Sequence, residues 1–423
     1  MKIKVRNATY EEVCAIAGPK HRKPLRPMWL LSALIYLLSL FETLFCGFTC
    51  RKIGFEKLKK KEPFLILMNH SAFLDLKIAS RIFFPRRYNI VATTDSFVGK
   101  SLLMRLIGCI PTQKFVTDLQ LIKDIKYALH TLRNPVLLFP EAGYSFDGCC
   151  TTLPDTLGSF VKMMKVPLVS VITKGVYSRD PLYNMLQIRR VRPSAEATYL
   201  LSPEQIEQMS AEEINRVIQE AFTFDAFAWQ KENGVVIDEP FRADGLHRIL
   251  YRCARCEQEG GMEGKGRHLT CRHCGGKWEL SELGELHAVN GEERFKHIPD
   301  WYAWERQCVA REITENSYRL ACDVDIVALV DEKALYHIGR GRLIHDEEGF
   351  VLTGCEGALV YRQSPRAAYC LNADFYWYEI GDVIGIGDRS MLYYCFPQDE
   401  KISVTKARLA TEELYKLTRP RQK

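Results

Sequence analysis

A histidine and an aspartate follow a short apolar run, and this junction constrains the fold more than any other feature of the sequence. Phe64–Met68 has the length and composition of a buried strand, the heptapeptide NHSAFLD (69–75) follows, and a helical pattern begins at Leu76. This strand-to-helix corner places His70 at the mouth of a sheet, with Asp75 about one helical turn further on. An aspartate that holds one ring nitrogen's proton frees the other nitrogen to act as a general base. The pair alone also fits an ordinary helix cap beside an isolated histidine.

A second apolar run ends in a motif of the same kind. Val136–Phe139 reads as a buried strand and is followed by PEAGYS (140–145), which brings Glu141 and a flexible glycine to the strand's C-terminal end. Open α/β sheets keep their active sites at such ends. From Phe48 to about residue 198, short strand patterns alternate with helical ones, such as the amphipathic segment 119–132. The sequence therefore predicts an α/β layer with a site formed by strand ends.

Two further segments complete an ordered series: GCIPTQK (108–114) lies between the two motifs, and VPLVSV (166–171) follows them. In order, strand context and intervals, the four segments resemble the glycerolipid acyltransferase family typified by 1-acyl-sn-glycerol-3-phosphate acyltransferases, over residues 48–230. That family carries Asn-His-x-x-x-x-Asp, Gly-x-Ile-Phe-Ile-Asp-Arg, Phe-Pro-Glu-Gly-Thr-Arg-Ser and a Val-Pro-rich strand. The resemblance implies an α/β acyltransferase domain, a mixed sheet flanked by helices, at residues 51–235.

The resemblance also implies a reaction and a site. His70 would take the proton of an acceptor hydroxyl, Asp75 would orient the imidazole, and the hydroxyl oxygen would attack the thioester of acyl-CoA or acyl carrier protein. The implied acceptor is a lysophospholipid, above all 1-acyl-sn-glycerol-3-phosphate, in phospholipid biosynthesis. The predicted acceptor-site residues are Lys114, Glu141, Gly143, Tyr144 and Ser145, with Glu141 binding the hydroxyl and Lys114 the phosphate.

Two departures from the family pattern concern the acceptor. Ala142-Gly143-Tyr144 stands where the family has Gly-Thr-Arg, and Tyr144 cannot supply the charge of the family's phosphate-binding arginine. Lys114 stands where the second motif ends in arginine; it keeps the charge but loses the bidentate fork. The motifs therefore support acyl transfer more strongly than they support any particular acceptor.

The N-terminal 50 residues are predicted to associate with a membrane. Met28–Phe48 is an apolar stretch of 21 residues, able to extend about 31 Å as a helix, although it contains Glu42. Residues 1–61 hold 13 Lys/Arg and 4 Asp/Glu, a local net charge of +9 that suits anionic lipid. We expect a helix lying in the cytoplasmic leaflet of the cell membrane; a buried helix of the globular domain is the alternative. Nucleic acid is not an expected partner, because no aromatic interleaving or known motif accompanies the charge.

Two Cys-x-x-Cys pairs predict a structural metal site. Cys253-x-x-Cys256 and Cys271-x-x-Cys274 are separated by 14 residues that include four glycines, the spacing of two knuckles joined by a hairpin. We predict a small zinc ribbon at residues 245–285 that holds Zn²⁺ structurally, since four thiolates leave no open coordination position. Fifteen cysteines without a signal peptide favour the reducing cytoplasm.

The remainder, residues 318–420, is rich in strand patterns and ends in a helical segment at 404–417, which predicts a β-rich domain resembling a pleckstrin-homology (PH) fold. Because of this additional domain, a function other than catalysis remains open. The protein could be a membrane lipid-binding adaptor with a degenerate acyltransferase fold, recruiting partners through the ribbon and the C-terminal domain. The intact set of His70, Asp75 and Glu141 favours the enzyme.

Overall fold

The computed structural model describes residues 3–116 and 118–418. The outer limits of two predicted regions, residue 1 and residue 420, lie outside this part of the chain. The chain begins with strand β1 (Val5–Asn7), helix α1 (Tyr10–Cys14) and helix α2 (Trp29–Phe45).

The predicted mixed sheet is confirmed and has seven strands. They are β2 (Thr49–Ile53), β3 (Leu65–Met68), β4 (Asn89–Thr93), β5 (Cys109–Thr112), β6 (Val136–Leu138), β7 (Leu168–Lys174) and β8 (Ser194–Leu201). Their order is β2-β8-β7-β3-β6-β4-β5, and neighbours are parallel except for the antiparallel pair β7 and β8. The central position of β3 brings its C-terminal end beside those of β6 and β7.

Helices cover both faces of this sheet. They are α3 (Leu74–Phe83), α4 (Ser101–Leu106), α5 (Leu119–Lys126), α6 (Leu157–Met164), α7 (Val176–Arg179), α8 (Pro203–Gln208), α9 (Ala211–Phe222) and α10 (Ala226–Glu232), and α5 continues as a π-helical turn over Tyr127–Thr131. Leu65 and Leu67 pack on one face with α5, α6 and α9, whereas Ile66 and Met68 pack on the other with α3. Strand β3 thus alternates its side chains between two cores, as a central strand must.

Helix α2 packs on α3 and leaves an apolar face outward. Tyr36 accepts a hydrogen bond of 2.8 Å from Arg81, and Glu42 forms an ion pair with Lys77, so the charge inside the apolar stretch is matched by the neighbouring helix. The exposed apolar side chains of α2 are Trp29, Leu30, Leu34, Leu37, Leu38, Phe41, Leu44 and Phe45. No helix in the described part of the chain has the length and apolar character needed to cross a membrane.

A small antiparallel sheet follows the acyltransferase-like region. Its strands are β9 (Met262–Lys265), β10 (His268–Cys271), β11 (Lys277–Leu280) and β12 (Leu286–Ala288), in the order β12-β11-β10-β9. The turn between β10 and β11 carries Cys274, and the segment preceding β9 carries Cys253 and Cys256. Two cysteine pairs therefore meet at one end of this sheet.

The predicted β-rich C-terminal region is confirmed. Helix α11 (Ile298–Thr314) leads into β13 (Leu320–Leu329), β14 (Leu335–Asp346), β15 (Gly349–Gly354), β16 (Leu359–Gln363), β17 (Asn372–Trp377), β18 (Gly381–Gly387) and β19 (Leu392–Pro397), and α12 (Val404–Thr418) ends the described chain. The strand order is β16-β15-β14-β13-β19-β18-β17, and β1 adds to it by pairing in parallel with β14. The likeness to a PH fold stays a prediction.

The C-terminal half is docked on the first sheet. One continuous core contains the ribbon, α11, α12 and the large sheet together with Phe146, Tyr177 and Tyr183 of the first half. A second contact buries Val98 against Val327 and Trp377 of the large sheet. These contacts place the C-terminal sheet beside the ends of the strands that carry the sequence motifs.

Candidate active site

His70 and Asp75 meet as the sequence spacing predicts. His70 Nδ1 lies 3.1 Å from Asp75 Oδ2, in the turn between β3 and α3. Asp75 occupies the first turn of α3 and is fully buried, while 16% of the His70 side chain is exposed. With its Nδ1–H donated to a carboxylate, the neutral imidazole keeps Nε2 free to accept a proton.

Every oxygen of Asp75 has a partner. Oδ2 also accepts the backbone N–H groups of Ser71 at 2.7 Å and Ala72 at 3.1 Å, and Oδ1 lies 3.1 Å from the hydroxyl of Thr173 on β7. The same hydroxyl lies 3.0 Å from Oδ1 of Asn69, whose amide donates to the Thr173 carbonyl. A buried carboxylate bonded to this many groups is fixed in orientation. Thr173 was not predicted from the sequence.

Aromatic rings surround the imidazole. The Phe139 ring stacks on His70 with centroids 3.8 Å apart, and the Tyr144 ring contacts it at 4.3 Å. Burial lowers the pKa of His70 below its ordinary value, opposed by the hydrogen bond and charge of Asp75 and assisted by the nearby Lys114 ammonium. The histidine is therefore in its basic form at neutral pH, as a proton acceptor must be.

Glu141 joins the two motifs. Its Oε1 accepts the backbone N–H of His70 at 3.1 Å, and its Oε2 accepts the N–H and hydroxyl of Thr151 at 2.9 and 3.0 Å. The side chain is 2% exposed, and burial raises its pKa to about 7 against the lowering effect of these hydrogen bonds. In this conformation Glu141 positions the His70 corner; its predicted contact with the acceptor hydroxyl stays a prediction.

The loop after Glu141 is organised from within. Ser145 is buried, donates its N–H to the His70 carbonyl at 3.0 Å and its hydroxyl to the Cys149 carbonyl at 2.6 Å. Gly143 faces open space, whereas Ala142 has a left-handed backbone with φ of 53°. The Tyr144 ring of this loop lies beside His70, and the hydrogen bonds of Ser145 hold the loop in place.

The C-terminal sheet closes the side of the site where Lys114 lies. Lys114 follows β5, and its neighbour Phe115 contacts Tyr369 with ring centroids 5.2 Å apart. Tyr378 donates a hydrogen bond of 2.8 Å to Asp95, which lies in the turn after β4. Sequence patterns do not predict this contact, because its two residues are 283 positions apart.

Arg408 of α12 reaches the motif loop from behind. Its Nη1 donates to the Tyr144 carbonyl at 3.2 Å, and its guanidinium lies 4.2 Å from the Phe146 ring centroid. Its Nε donates to Glu412 at 3.2 Å, and the residue is 3% exposed. An arginine therefore stands near Tyr144, but its donors hold the loop and the C-terminal helix together.

The four predicted metal ligands converge. The Sγ atoms of Cys253, Cys256, Cys271 and Cys274 all lie within 4.8 Å of one another. The Cys253–Cys274 and Cys256–Cys271 separations are both 3.7 Å. A tetrahedron with Zn–S bonds of about 2.3 Å has S–S edges of roughly 3.8 Å, so the donor set fits zinc.

A strand-end histidine oriented by a buried carboxylate, on a mixed sheet covered by helices, is arranged to act as a general base. Residues 50–174 match the family model described as Acyltransferase, and this stretch contains both motifs, Lys114 and Thr173. Over this stretch the chain is similar to that family.

Among solved structures, the chain is similar to the 1-acyl-sn-glycerophosphate (LPA) acyltransferase PlsC from Thermotoga maritima. The identity is 15% and the TM-score 0.34, over 45% of this chain and 76% of that one. No curated protein matches the sequence.

Proposed function

We propose that the protein is an O-acyltransferase that moves a fatty acyl group from acyl-CoA or acyl carrier protein to the hydroxyl of a single-chain lipid. The observation that carries the proposal is the bond between His70 Nδ1 and the fixed carboxylate of Asp75, at the end of a central strand inside an acyltransferase-family domain. This geometry leaves His70 Nε2 as the base.

In the proposed reaction the acyl group passes directly from the thioester to the acceptor hydroxyl. Nε2 of His70 takes the proton of the acceptor hydroxyl while the oxygen attacks the thioester carbonyl carbon. The new C–O bond forms, the C–S bond breaks, and the leaving thiolate takes the proton back from the imidazolium. Asp75 stabilises the positive charge on the imidazole between these steps. The products are an ester and a free thiol.

The acceptor implied by the sequence motifs is a lysophospholipid, above all 1-acyl-sn-glycerol-3-phosphate, in phospholipid biosynthesis. Support for a phosphate-bearing acceptor rests on Lys114, because Tyr144 brings no charge to the loop. Lys114 is partly exposed, so a ligand can reach its ammonium.

Membrane association is part of the proposal. The outward face of α2 carries Leu34, Leu38 and Phe41, which are 50%, 61% and 57% exposed, and the residues around it are basic. Apolar and basic groups on one helix suit the surface of an anionic leaflet, and we place this face on the cytoplasmic side. Leu38→Asp should reduce sedimentation with anionic vesicles, whereas Val360→Asp, at an exposed apolar residue of β16, should not. Equal sedimentation of the two variants contradicts this placement.

We also propose that the cysteine cluster holds structural Zn²⁺. The small sheet around it is tied to α11 by the edge-to-face contact of Trp278 with Trp301, with ring centroids 5.0 Å apart. Loss of the metal should therefore destabilise the docked C-terminal half as well as the ribbon. Purified protein should contain about one zinc per chain, and Cys271→Ser should lower both zinc content and thermal stability. Full stability with no bound metal contradicts the assignment.

The central test is the activity of His70→Ala with labelled acyl-CoA and a panel of single-chain lipid acceptors. We expect acyl transfer to fall by about 10³-fold, the middle of the usual range for a general base. His130→Ala is the matched control, since that exposed ring bonds the Met164 carbonyl 2.9 Å away, and Met164 packs on the face of the sheet opposite α3. Retained transfer in His70→Ala contradicts the proposal, and tight lipid binding without turnover in the unmodified protein favours the adaptor function instead.

A further inference from the structure

Two aromatic rings contact the imidazole of His70, and they reach it from different parts of the chain. Phe139 directly follows β6, which pairs with β3, and its ring stacks on the imidazole with centroids 3.8 Å apart and planes 15° apart. The Tyr144 ring belongs to the loop that follows and lies 4.3 Å from the imidazole, tilted by 45°. Both separations are shorter than the roughly 4.5–7 Å between centroids in ordinary aromatic pairs. Both rings therefore lie well within the distance of about 6 Å at which an aromatic face attracts a cation.

The Tyr144 ring is held in place by hydrogen bonds of the loop backbone. The next residue, Ser145, donates its N–H to the His70 carbonyl at 3.0 Å, so the loop is bonded to the corner that carries the base. The Tyr144 carbonyl accepts a hydrogen bond of 3.2 Å from Arg408 of α12, and Arg408 is itself bonded to Glu412 at 3.2 Å. The contact between the ring and the imidazole is therefore fixed by the fold, and the C-terminal helix takes part in fixing it.

The surroundings of His70 disfavour the positive charge that the proposed reaction places on it. Only 16% of the side chain is exposed, so water stabilises the charge weakly. The Oδ2 atom of Asp75 that faces the imidazole also accepts two backbone N–H groups, from Ser71 and Ala72, which compete for its negative charge. A further group that favours the charged imidazole over the neutral one would therefore speed the transfer of the proton.

An aromatic face has this property. The quadrupole of the ring is negative over the face, so the ring attracts an imidazolium more strongly than a neutral imidazole. His70 carries the charge only between taking the proton from the acceptor hydroxyl and returning it to the leaving thiolate. An attraction confined to that interval lowers the barrier of the reaction without tightening the binding of the substrates. Tyrosine supplies the ring without a charge of its own, whereas the arginine of the family pattern would add a second cation.

We propose that the Tyr144 ring, together with the Phe139 ring, stabilises the imidazolium of His70 during acyl transfer, and that Tyr144 is a positioning residue that acts through the base. This inference rests on the proposed acyl transfer. It gives a role in the transfer step to the residue that replaces the family's phosphate-binding arginine.

The experiment changes the electron density of the ring while its size stays nearly constant. Full-length protein is prepared with phenylalanine, and with mono-, di- and trifluorinated phenylalanine, in place of Tyr144, because each fluorine withdraws electrons from the ring face. Transfer from labelled acyl-CoA is measured with the single-chain lipid that the unmodified protein acylates fastest. We expect kcat to fall with each fluorine, by about tenfold over the series, while KM for the acceptor stays within about twofold.

Substitutions by natural amino acids complete the design. Tyr144→Phe keeps the ring and should retain kcat within about twofold, whereas Tyr144→Leu removes the ring and should lower kcat about tenfold. Phe139→Leu removes the other ring and should also lower kcat, which keeps the inference testable if Tyr144→Leu does not fold. Tyr361→Leu is the matched control, because its ring contacts Tyr393 in the C-terminal sheet, with centroids 5.3 Å apart, and its loss should leave kcat unchanged.

A kcat that stays constant along the fluorinated series overturns the inference and leaves the proposed function intact. A rise in the acceptor KM at constant kcat also overturns it, since Tyr144 would then bind the acceptor. Absence of transfer by the unmodified protein to every single-chain lipid in the panel rejects the proposed function, and the inference with it.

Discussion

The two sides of the candidate site are built in different ways. The proposed catalytic side consists of His70, Asp75 and Thr173, all from the first half of the chain, and each oxygen of Asp75 is hydrogen-bonded. The predicted acceptor side is covered by the C-terminal half: Arg408 donates to the Tyr144 carbonyl, and Phe115, the neighbour of Lys114, contacts Tyr369. The contrast teaches that the first side is built from residues close to one another in a single sheet and its helices, whereas the second side depends on how the two halves of the molecule dock.

The strongest test of this contrast is Asp75→Asn. An amide cannot stabilise the imidazolium and favours the wrong tautomer of His70, so kcat should fall by about 10³-fold with every acceptor. The ratio of kcat/KM between two acceptors should stay constant, because the acceptor side is untouched. Steady-state kinetics with two acceptors measure both quantities. A change in the ratio as large as the change in kcat would show that the two sides are not separable.

Arg408→Met tests how the C-terminal half docks on the motif loop. The change removes the donor to the Tyr144 carbonyl and one of the two arginines that pair with the buried Glu412. We expect a loss of about 3 kcal/mol in the free energy of unfolding, typical of a broken buried ion pair, together with a shifted acceptor ratio. Urea unfolding and the two-acceptor assay measure these effects. Arg342→Met, at an exposed pair with Asp323, is the control and should cost almost nothing.

The two halves should also differ in how acid affects their stability, because the C-terminal sheet contains a buried histidine. His345 is 1% exposed, lies 2.8 Å from the Tyr318 hydroxyl through Nδ1, and has its pKa lowered to about 3 by burial. Between pH 6.5 and 3 the unfolded chain binds more protons at this site than the folded chain, so stability falls as pH falls. The loss should reach about 2 kcal/mol at pH 5.

Thermal unfolding at pH 7 and pH 5 measures this loss, and His345→Asn should reduce the pH dependence. The C-terminal sheet, which contains His345, should then unfold earlier on acidification than the first sheet. Equal pH dependence in the variant would show that other groups cause the acid sensitivity.

The smallest expected effect concerns the motif loop itself. Ala142 has a left-handed backbone, φ 53°, at the position where the family pattern has glycine. Ala142→Gly should raise the free energy of unfolding by about 1 kcal/mol, because glycine adopts this conformation without steric cost. Gly143→Ala is the matched change at the next position, where a Cβ meets open space, and should not gain in the same way. Destabilisation by Ala142→Gly would contradict our interpretation that the left-handed backbone of Ala142 is strained.

The parts of the site that the sequence predicted are those whose partners are close along the chain. His70 and Asp75 are five positions apart, and the cysteine pairs follow a spacing set by metal geometry.

The parts of the site that the sequence did not predict depend on contacts between segments that are distant along the chain. Thr173 lies 98 positions from Asp75, and its only sequence signal was a polar residue at the end of an apolar strand. Arg408 lies 264 positions from Tyr144. Periodicity identifies which face of an element is buried, but it does not identify which distant element covers it.

Strand β1 gives the chain an unusual closure. Val5 pairs with Leu335 in the C-terminal sheet, while β2 enters the first sheet directly after α2, so the segment carrying α2 is fixed at both ends to different sheets. Helix α2 therefore lies on a segment that connects the two halves. This segment is a second covalent link between the two sheets, in addition to the chain that leads from β8 to β13.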